Sequence, residues 1–239
     1  PTTSSAASDV YKRQNINLTV LMPPEADPHT YEPAPQDAGT IADADLVFYT
    51  GLMYEPAPLI ELLENSVCGS EALAEVGESV FPIEFKEGGH GDHDDHGEKG
   101  HDDHDEEGHD DHDDHGGHEG HGHGAYDPHF WFDPNRVVYA SEFIESKLIE
   151  LDPSNAASYQ AAGDTYATEL SSLKGQVSQL IGSIPSQNRK LITTHESLGY
   201  LEAKFGLEVL STIIPDLDSS NEITPAQLVG VIDVIEDNN

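Results

Sequence analysis

The apolar positions in the first third of the chain fall into short runs separated by segments with helical spacing. Residues 17–22 (NLTVLM) include β-branched side chains and are followed by two prolines, which predicts a buried strand that ends in a rigid loop. Residues 46–49 (LVFY) predict a second strand after a polar helical stretch over residues 36–44. A further helix is expected over residues 55–64, and a short strand over residues 80–85. Strands that alternate with helices indicate a parallel α/β sheet.

Two helices are predicted in the middle of the chain. Residues 135–151 place apolar side chains at helical spacing, and an Asp-Pro pair ends the pattern. Between residues 153 and 184 an apolar stripe continues on one face, which predicts a helix of roughly 45 Å. This is longer than a small domain is wide, so the helix suits a strut that joins two lobes. One half of a helical hairpin is the alternative.

The last quarter of the chain again has an α/β pattern. Residues 190–194 and 208–214 predict strands, and residues 197–205 predict a helix that Gly206 terminates. A Thr-Pro pair at residues 224–225 supplies the N-cap and the first-turn proline of a final helix. These elements indicate the beginning of a second parallel sheet.

The predicted fold is therefore α/β, with two parallel-sheet lobes joined by a long helix and with the second lobe incomplete. The N-terminal lobe is expected over residues 15–152, the linking helix over 153–184 and the partial C-terminal lobe over 185–239. A His-rich loop at residues 87–124 belongs to the first lobe. Residues 1–14 are polar and aperiodic, and are interpreted as a non-native leader.

The charge of the chain is strongly negative and unevenly distributed. Of the formal charge of −36 on 239 residues, residues 87–123 contribute fifteen acidic side chains and Lys99, a net −14, which leaves −22 for the remainder. Such acidity argues against a nucleic-acid partner and is compatible with cations. Cys68 is the sole cysteine, which excludes an internal disulfide and a thiolate zinc site. We expect it to be a buried, small apolar residue.

The acidic stretch also contains most of the histidines. Eleven of the fourteen lie there: His90, His93, His96, His101, His104, His109, His112, His115, His118, His121 and His123. Imidazole is a common ligand of transition metals, so this His-rich tract predicts auxiliary metal binding, although its composition does not select one metal. The tract contains almost no apolar residues and is expected to be disordered without metal. A solvated acidic linker is the alternative interpretation.

The other three histidines are isolated, and two of them share a local motif. His29 lies in residues 27–33 (DPHTYEP) and His129 in residues 127–134 (DPHFWFDP), so each follows Asp-Pro and precedes an acid-proline pair. Proline restricts φ on both sides, and each imidazole is therefore presented from a stiff loop. A ligand held in this way loses less entropy when a metal binds.

His195 is the third, and it lies at the carboxyl end of a predicted strand, where open α/β sheets place their ligand sites. His29 also follows a predicted strand, so His29 and His195 would meet in the cleft between the lobes. His129, near the boundary of the lobes, would close a third side of that cleft. Any one of them is compatible with an ordinary hydrogen-bonded loop histidine. Together they predict a three-histidine metal site. Three imidazoles suit tetrahedral Zn²⁺ with a carboxylate or water as fourth ligand, whereas Mn²⁺ favours more oxygen ligands.

Three segments carry a resemblance to a known family: residues 21–51 (LMPPEADPHTYEPAPQDAGTIADADLVFYTG), 127–137 (DPHFWFDPNRV) and 193–209 (TTHESLGYLEAKFGLEV). Together they resemble the periplasmic metal-binding proteins of ABC transporters, the zinc and manganese solute-binding proteins of the cluster A-I or ZnuA-like family. The resemblance covers all of the chain except the first fourteen residues.

This resemblance implies two α/β lobes joined by one rigid helix, with the metal held between them. It assigns His29, His129 and His195 as ligands. A histidine at the third position and an acidic His-rich loop resemble the zinc branch. Two features depart from the family: residues 1–14 replace its first strand and helix, and its fourth ligand, a carboxylate, is expected beyond residue 239.

The function implied is a non-catalytic, extracytoplasmic receptor that captures Zn²⁺, or less favourably Mn²⁺, and delivers it to the membrane permease of an ABC importer. The protein is expected to be a monomer, periplasmic or extracellular, and lipid-anchored in its intact form. Two other classes remain open. One is a zinc hydrolase with Glu196 as base, although no His-Glu-x-x-His motif is present. The other is a surface metal buffer or a cell-adhesion protein acting through the His-rich tract.

For residues beside the three histidines, more than one role is compatible with the sequence. Asp27 and Asp127 could each orient an imidazole, but capping of their own Asp-Pro turns is favoured. Glu196 could reach the metal, but is expected to begin the next helix, where its charge suits the helix dipole. The aromatic residues after His129 are interpreted as packing in the cleft: Phe130, Trp131 and Phe132.

Overall fold

The computed structural model describes residues 15–85, 126–214 and 223–238, and all structural statements concern those residues. The predicted leader at residues 1–14 and the predicted His-rich loop at residues 87–124 lie outside them. The structured segments alternate helices and strands. In chain order they are α1 Asp37–Ala42, β1 Val47–Tyr49, α2 Ala57–Ser66, β2 Leu73–Glu75, α3 Pro134–Leu151, α4 Ala156–Gly182, β3 Lys190–Thr193, α5 Gly199–Phe205, β4 Glu208–Thr212 and α6 Pro225–Asp237.

Two parallel strand pairs form the sheets of the described segments. β1 pairs with β2, with Phe48 opposite Ala74, and β3 pairs with β4, with Leu191 opposite Val209. Each pair is connected through a helix, α2 in the first case and α5 in the second. A parallel connection of this kind needs a crossover, which explains why helices alternate with strands in the sequence.

Two hydrophobic cores hold these helices and strands together. The first lies between α1 and α2, where Ile41, Leu59 and Leu63 are buried. The second gathers residues from distant parts of the chain: Val76, Val80, Phe130, Ala140 and Tyr200. Because Tyr200 belongs to α5 and Val80 follows β2, the second core joins the two halves of the molecule.

The long helix α4 packs along α3. The Oη of Tyr159 donates to Asp152 at the turn between the two helices, 3.0 Å away, and Glu145 of α3 lies against Gly163 of α4. These paired positions show that the helices run antiparallel, as in a helical hairpin. α4 also contacts α5, so it connects α3 to the second half as well. At ~1.5 Å per residue its 27 residues span roughly 40 Å.

Two strand predictions are wrong. Residues 17–22 form no strand, and no described strand pairs with them; Leu18 and Val20 are exposed, although Leu21 and Met22 pack against the first core. The strand predicted over residues 80–85 is also missing. A 3-10 turn over Gly77–Val80 ends at Val80, and beyond it Glu84 makes a single antiparallel bridge with Tyr126. An apolar run becomes a strand only where a neighbouring backbone offers a ladder of hydrogen bonds.

The prediction for Cys68 is also wrong, because this thiol is exposed. Cys68 follows α2 and precedes Gly69, in the turn that leads to β2. Its Sγ lies 3.5 Å from the carbonyl oxygen of Ala42. The turn places the side chain at the surface although the residue type favours burial. None of the described helices combines the length and the apolar character needed to cross a membrane.

Candidate metal site

The structure brings the three isolated histidines together. One ring nitrogen from each of His29, His129 and His195 lies within 4.8 Å of the others. The ring centroids are 5.8 Å apart for His29 and His129, 5.9 Å for His29 and His195, and 5.4 Å for His129 and His195. With Zn–N bonds of about 2.0–2.1 Å, the nitrogens of a tetrahedral site lie about 3.4 Å apart, so a small inward movement of the rings would let all three bind one ion.

His129 is the most deeply buried of the three, with 3% of its surface exposed. It precedes a 3-10 turn, Phe130–Phe132, which leads directly into α3. The carboxylate of Asp133 caps α3 by accepting from the backbone N–H of Asn135 at 3.0 Å, and Pro134 occupies the first turn. The second acid-proline pair of the sequence motif is therefore a helix start that anchors the loop containing His129.

A single oxygen of Asp127 fixes the orientation of the His129 ring. Asp127 Oδ1 accepts from the backbone N–H of His129 and lies 2.8 Å from its Nδ1. A carboxylate can only accept, so Nδ1 holds a proton, and in the neutral ring Nε2 therefore presents its lone pair. Both roles considered for Asp127, capping the turn and orienting the imidazole, are therefore performed by the same atom.

The other ring nitrogen of His129 has no hydrogen-bond partner among the described residues. Nε2 is buried, and the rings of His29 and His195 face the same space. A buried polar atom without a partner is costly, and a bound ion would supply the missing partner. The donor set fits a divalent metal that accepts imidazole nitrogen, which would be the cargo of the site.

His29 reaches the site from a more exposed loop. Asp27 Oδ1 accepts from the backbone N–H of His29 at 3.0 Å, which is the turn-capping contact favoured by the sequence. Pro28 is half-buried, and so is the histidine itself. The strand expected before this loop is absent, so His29 is positioned by its turn and by side-chain packing.

His195 follows β3 by two residues, at the sheet edge predicted for it. Burial lowers the pKa of His195 below its usual 6.5, and the neighbouring imidazoles of His129 and His29 lower it further. Asp27 and Asp127 oppose this shift without reversing it. The ring is therefore neutral at pH 7, which is the form that binds metal.

Glu196 does not begin a helix, in contrast to the prediction. The N-cap of α5 is Leu198, and the first helical residue is Gly199. Glu196 is therefore two residues before the cap, too far for the first-turn position that a helix dipole favours. The buried Ser197 and the turn around it separate the sheet edge from the helix.

The aromatic residues after His129 do not all line the site. The Trp131 ring packs edge-on against His129, with centroids 5.4 Å apart, as expected for cleft packing. Phe130 instead lies in the second core, and Phe132 packs against it. In a 3-10 turn, successive side chains point in different directions, so a run of three aromatics cannot all face one cleft.

Tyr54 contributes to the site and was not identified from the sequence. Its ring is 4.9 Å from that of His29 and 5.1 Å from that of Trp131, both edge-on. Burial, followed by the charges of Glu55 and Asp27, raises the pKa of Tyr54 to about 12, so the hydroxyl remains protonated. Tyr54 and Trp131 thus form an aromatic wall beside two of the histidines.

An unusual loop holds Tyr54 in place. Gly51, Leu52 and Met53 have φ values of 76°, 55° and 62°, all in the left-handed region. Two carboxylates tie this backbone: Glu55 accepts from Thr50 N and Gly51 N at 2.6 and 2.9 Å, and Glu75 accepts from Leu52 N at 3.0 Å. Left-handed non-glycine residues persist only where surrounding contacts over-determine them, as they do beside this site.

The comparison with protein families identifies the family of the chain. Residues 2–239 match the family model ZnuA, described as the periplasmic component A of a zinc-uptake complex. The chain belongs to this family. The resemblance predicted from the three sequence motifs is therefore confirmed.

Relatives with established names are metal-binding lipoproteins. The chain is 25% identical to the manganese-binding lipoprotein MntA of Halalkalibacterium halodurans over 94% of its own length. It is 28% identical to the manganese ABC transporter substrate-binding lipoprotein scaA of Streptococcus gordonii over 97% of its length. The chain spans 61% and 66% of the lengths of these two relatives.

Solved structures show the same fold. The structure of ZnuA matches 94% of this chain and 71% of its own chain, with a TM-score of 0.70 and 24% identity. The periplasmic zinc-binding protein TroA from Treponema pallidum matches 98% of this chain and 71% of its own, with a TM-score of 0.74 and 21% identity. The predicted two-lobe α/β architecture with parallel sheets is thereby confirmed.

Proposed function

We propose that this chain is the metal-binding receptor of an ABC importer and that His29, His129 and His195 are its ligands. One observation supports this proposal most strongly. The buried Nε2 of His129 has no partner in the described segments, its tautomer is fixed by Asp127, and two further imidazoles lie within 4.8 Å. A site arranged in this way loses little entropy when it captures an ion.

Zinc is the metal that this donor set favours. Three neutral imidazoles leave one tetrahedral position for water or for a carboxylate, which is a common zinc arrangement. Relatives are named for manganese or for metal in general, and structural neighbours are named for zinc, for bound Fe(III) and for bound Mn. We base the preference for zinc on the nitrogen donors of the site, because Mn²⁺ prefers oxygen ligands.

Delivery to a membrane permease is the second part of the proposal. It is supported by the family and by relatives that are named as ABC transporter substrate-binding lipoproteins. A protein of this kind acts outside the cytoplasm, and a lipid anchor would keep it at the membrane. In this role the chain is a receptor and not an enzyme, so Glu196→Gln should leave metal binding unchanged and no zinc-dependent hydrolysis should be detected.

The His-rich tract is proposed to collect or sense the metal for the three-histidine site. This differs from the adhesin or buffer alternative, in which the tract itself would supply the tight binding. Eleven histidines at short spacing can hold several ions in many arrangements, each weaker than a rigid site. The two proposals predict opposite results when residues 90–123 are deleted.

The test is a zinc and manganese titration of the chain with and without residues 90–123, using a competing chelator. We expect one tight zinc equivalent to survive the deletion and to be lost in His29→Ala and His195→Ala. His121→Ala, which removes one histidine from the tract, is the matched control and should bind as the parent chain does. Loss of all tight binding on deletion of the tract would instead support the buffer or adhesin alternative.

A further inference from the structure

Tyr200 is the largest of the fully buried side chains, with 1% of its surface exposed. It lies in α5, five residues after His195, and its ring packs in the core that joins the two halves of the molecule. The guanidinium of Arg136 lies over this ring, 4.9 Å from its centroid. The ring is therefore held from several sides, and its hydroxyl has a fixed position.

The hydroxyl of Tyr200 links two segments of the other half. Its Oη donates to the carbonyl oxygen of Asp127 at 2.6 Å and accepts from the backbone N–H of Ile83 at 3.3 Å. Both bonds are made to backbone groups more than seventy residues away in the sequence. A side chain that satisfies a buried donor and a buried acceptor at once fixes the distance between the elements that contain them.

Asp127 is also the residue that orients His129. Its carbonyl oxygen accepts from Tyr200 while its Oδ1 contacts the N–H and the Nδ1 of His129. A continuous path therefore runs from the segment that contains His195, through the Tyr200 hydroxyl and Asp127, to the ring of His129. The path is short and entirely buried at its centre.

Gly199 shows how closely α5 approaches Asp127. A Cβ atom added at Gly199 would lie 2.7 Å from Asp127 Oδ2 and 3.4 Å from the Cδ1 of Ile83. Any larger residue would push the Asp127 carboxylate away from its present position. The absence of a side chain at residue 199 thus permits the contact between the helix and the loop.

From these contacts we propose that Tyr200 is a positioning residue of the metal site, which sets the place of His129 relative to His195 before any ion arrives. This inference rests on the proposed function, because it requires the histidines to be ligands. Removal of the hydroxyl would leave the ring packed but free the Asp127 loop. His129 would then lose part of its orientation, and the site would bind metal more weakly.

The test compares Tyr200→Phe with Tyr159→Phe in the full chain. Tyr159 is also buried, and its hydroxyl also donates one bond, to Asp152 at the far end of α3, roughly 27 Å along the helix from the loop of His129. Zn²⁺ affinity is measured by chelator competition, and the absorption spectrum of bound Co²⁺ reports the ligand geometry. We expect Tyr200→Phe to weaken zinc binding about tenfold and to change the Co²⁺ spectrum. Tyr159→Phe should lower the melting temperature without changing either measurement.

A parent-like affinity and spectrum in Tyr200→Phe would overturn the inference. If that variant is unfolded at the assay temperature, both measurements are made on parent and variant below the melting temperature of the variant: weaker binding with a changed spectrum supports the positioning role, and parent-like binding overturns it. The proposed function fails separately, since it requires that His29→Ala and His195→Ala abolish tight zinc binding in the otherwise unaltered chain. Dependence on the histidines together with indifference to Tyr200 would refute only the present inference.

Discussion

The two Asp-Pro-His loops have nearly the same sequence but different environments. In the first, Asp27 is exposed and caps the backbone N–H of a half-buried His29. In the second, Asp127 is 4% exposed and contacts both the N–H and the Nδ1 of His129, which is itself buried. The local motif builds the same turn twice, and tertiary contacts make only the second turn part of the core. We therefore expect His129 to be the prearranged ligand and His29 to be the more adaptable one.

Removal of each imidazole should give the largest losses of zinc affinity and should show the difference between the two loops. His129→Ala should weaken zinc binding on the order of a hundredfold or more, because one of three protein ligands is lost. His29→Ala should also abolish tight binding, but an external imidazole should restore more of it, since this position is more accessible. Chelator competition with and without added imidazole measures both. Equal rescue of the two variants would contradict the distinction between the loops.

Removal of each aspartate should give the next largest difference. Asp127→Ala should reduce zinc affinity about tenfold to a hundredfold, because Nδ1 of His129 loses the acceptor that fixes its tautomer. Asp27→Ala, at the matched position, should cost less than about tenfold, since Asp27 is exposed and water competes for its hydrogen bonds. Isothermal titration of both variants gives the comparison. A larger loss for Asp27→Ala would mean that the exposed loop controls the site.

Acidification should weaken zinc binding near the pKa of His195. The pKa of His195 lies below 6.5, so this ring is neutral at pH 7. Protons compete with the metal for its ring nitrogen only at lower pH. Zinc affinity should fall as pH decreases from 7 through the pKa of His195, because protons then compete with zinc for this ring, with proton release on binding at acidic pH. Without metal, the unfolded chain binds more protons than the folded chain between that pKa and 6.5, so stability should rise with pH there. Zinc affinity that rises as pH falls would contradict this.

The acid-proline pairs of the two motifs should show the smallest difference. Asp133 caps α3, whereas Glu32 is exposed and lies before α1. Asp133→Ala should lower the free energy of unfolding by about 1 kcal/mol through loss of the cap. Glu32→Ala should change it by less than about 0.5 kcal/mol. Urea denaturation of the two variants measures this, and a cap at Asp133 is refuted if both lose the same stability.

Sequence reasoning succeeded where a local signal and the tertiary structure coincide. The sequence predicts α3 over residues 135–151 and the helix spans Pro134–Leu151, because the apolar spacing and the Asp-Pro pair that closes the helix agree. The final helix likewise begins at the predicted Thr-Pro pair, with Thr224 and Gln227 forming a capping box. The clustering of the three histidines followed from the position of each at the end of an element or in a stiff loop.

Features that depend on distant neighbours could not be predicted. β2 has only three residues, Leu73–Glu75, and is a strand because β1 lies beside it. The run over residues 17–22 has a stronger β pattern but no described partner. Tyr54 lies beside His29 at the end of a left-handed loop that Glu75, more than twenty residues away, helps to hold. No local pattern encodes such a contact.

The most direct test of the account is zinc X-ray absorption spectroscopy of the chain from which residues 90–123 have been deleted, at one zinc ion per chain. The account predicts three imidazole nitrogens at about 2.0–2.1 Å and one oxygen ligand from water or a carboxylate. It also predicts the loss of one imidazole from the spectrum in His129→Ala. A spectrum dominated by oxygen ligands, with one imidazole or none, would contradict the three-histidine site.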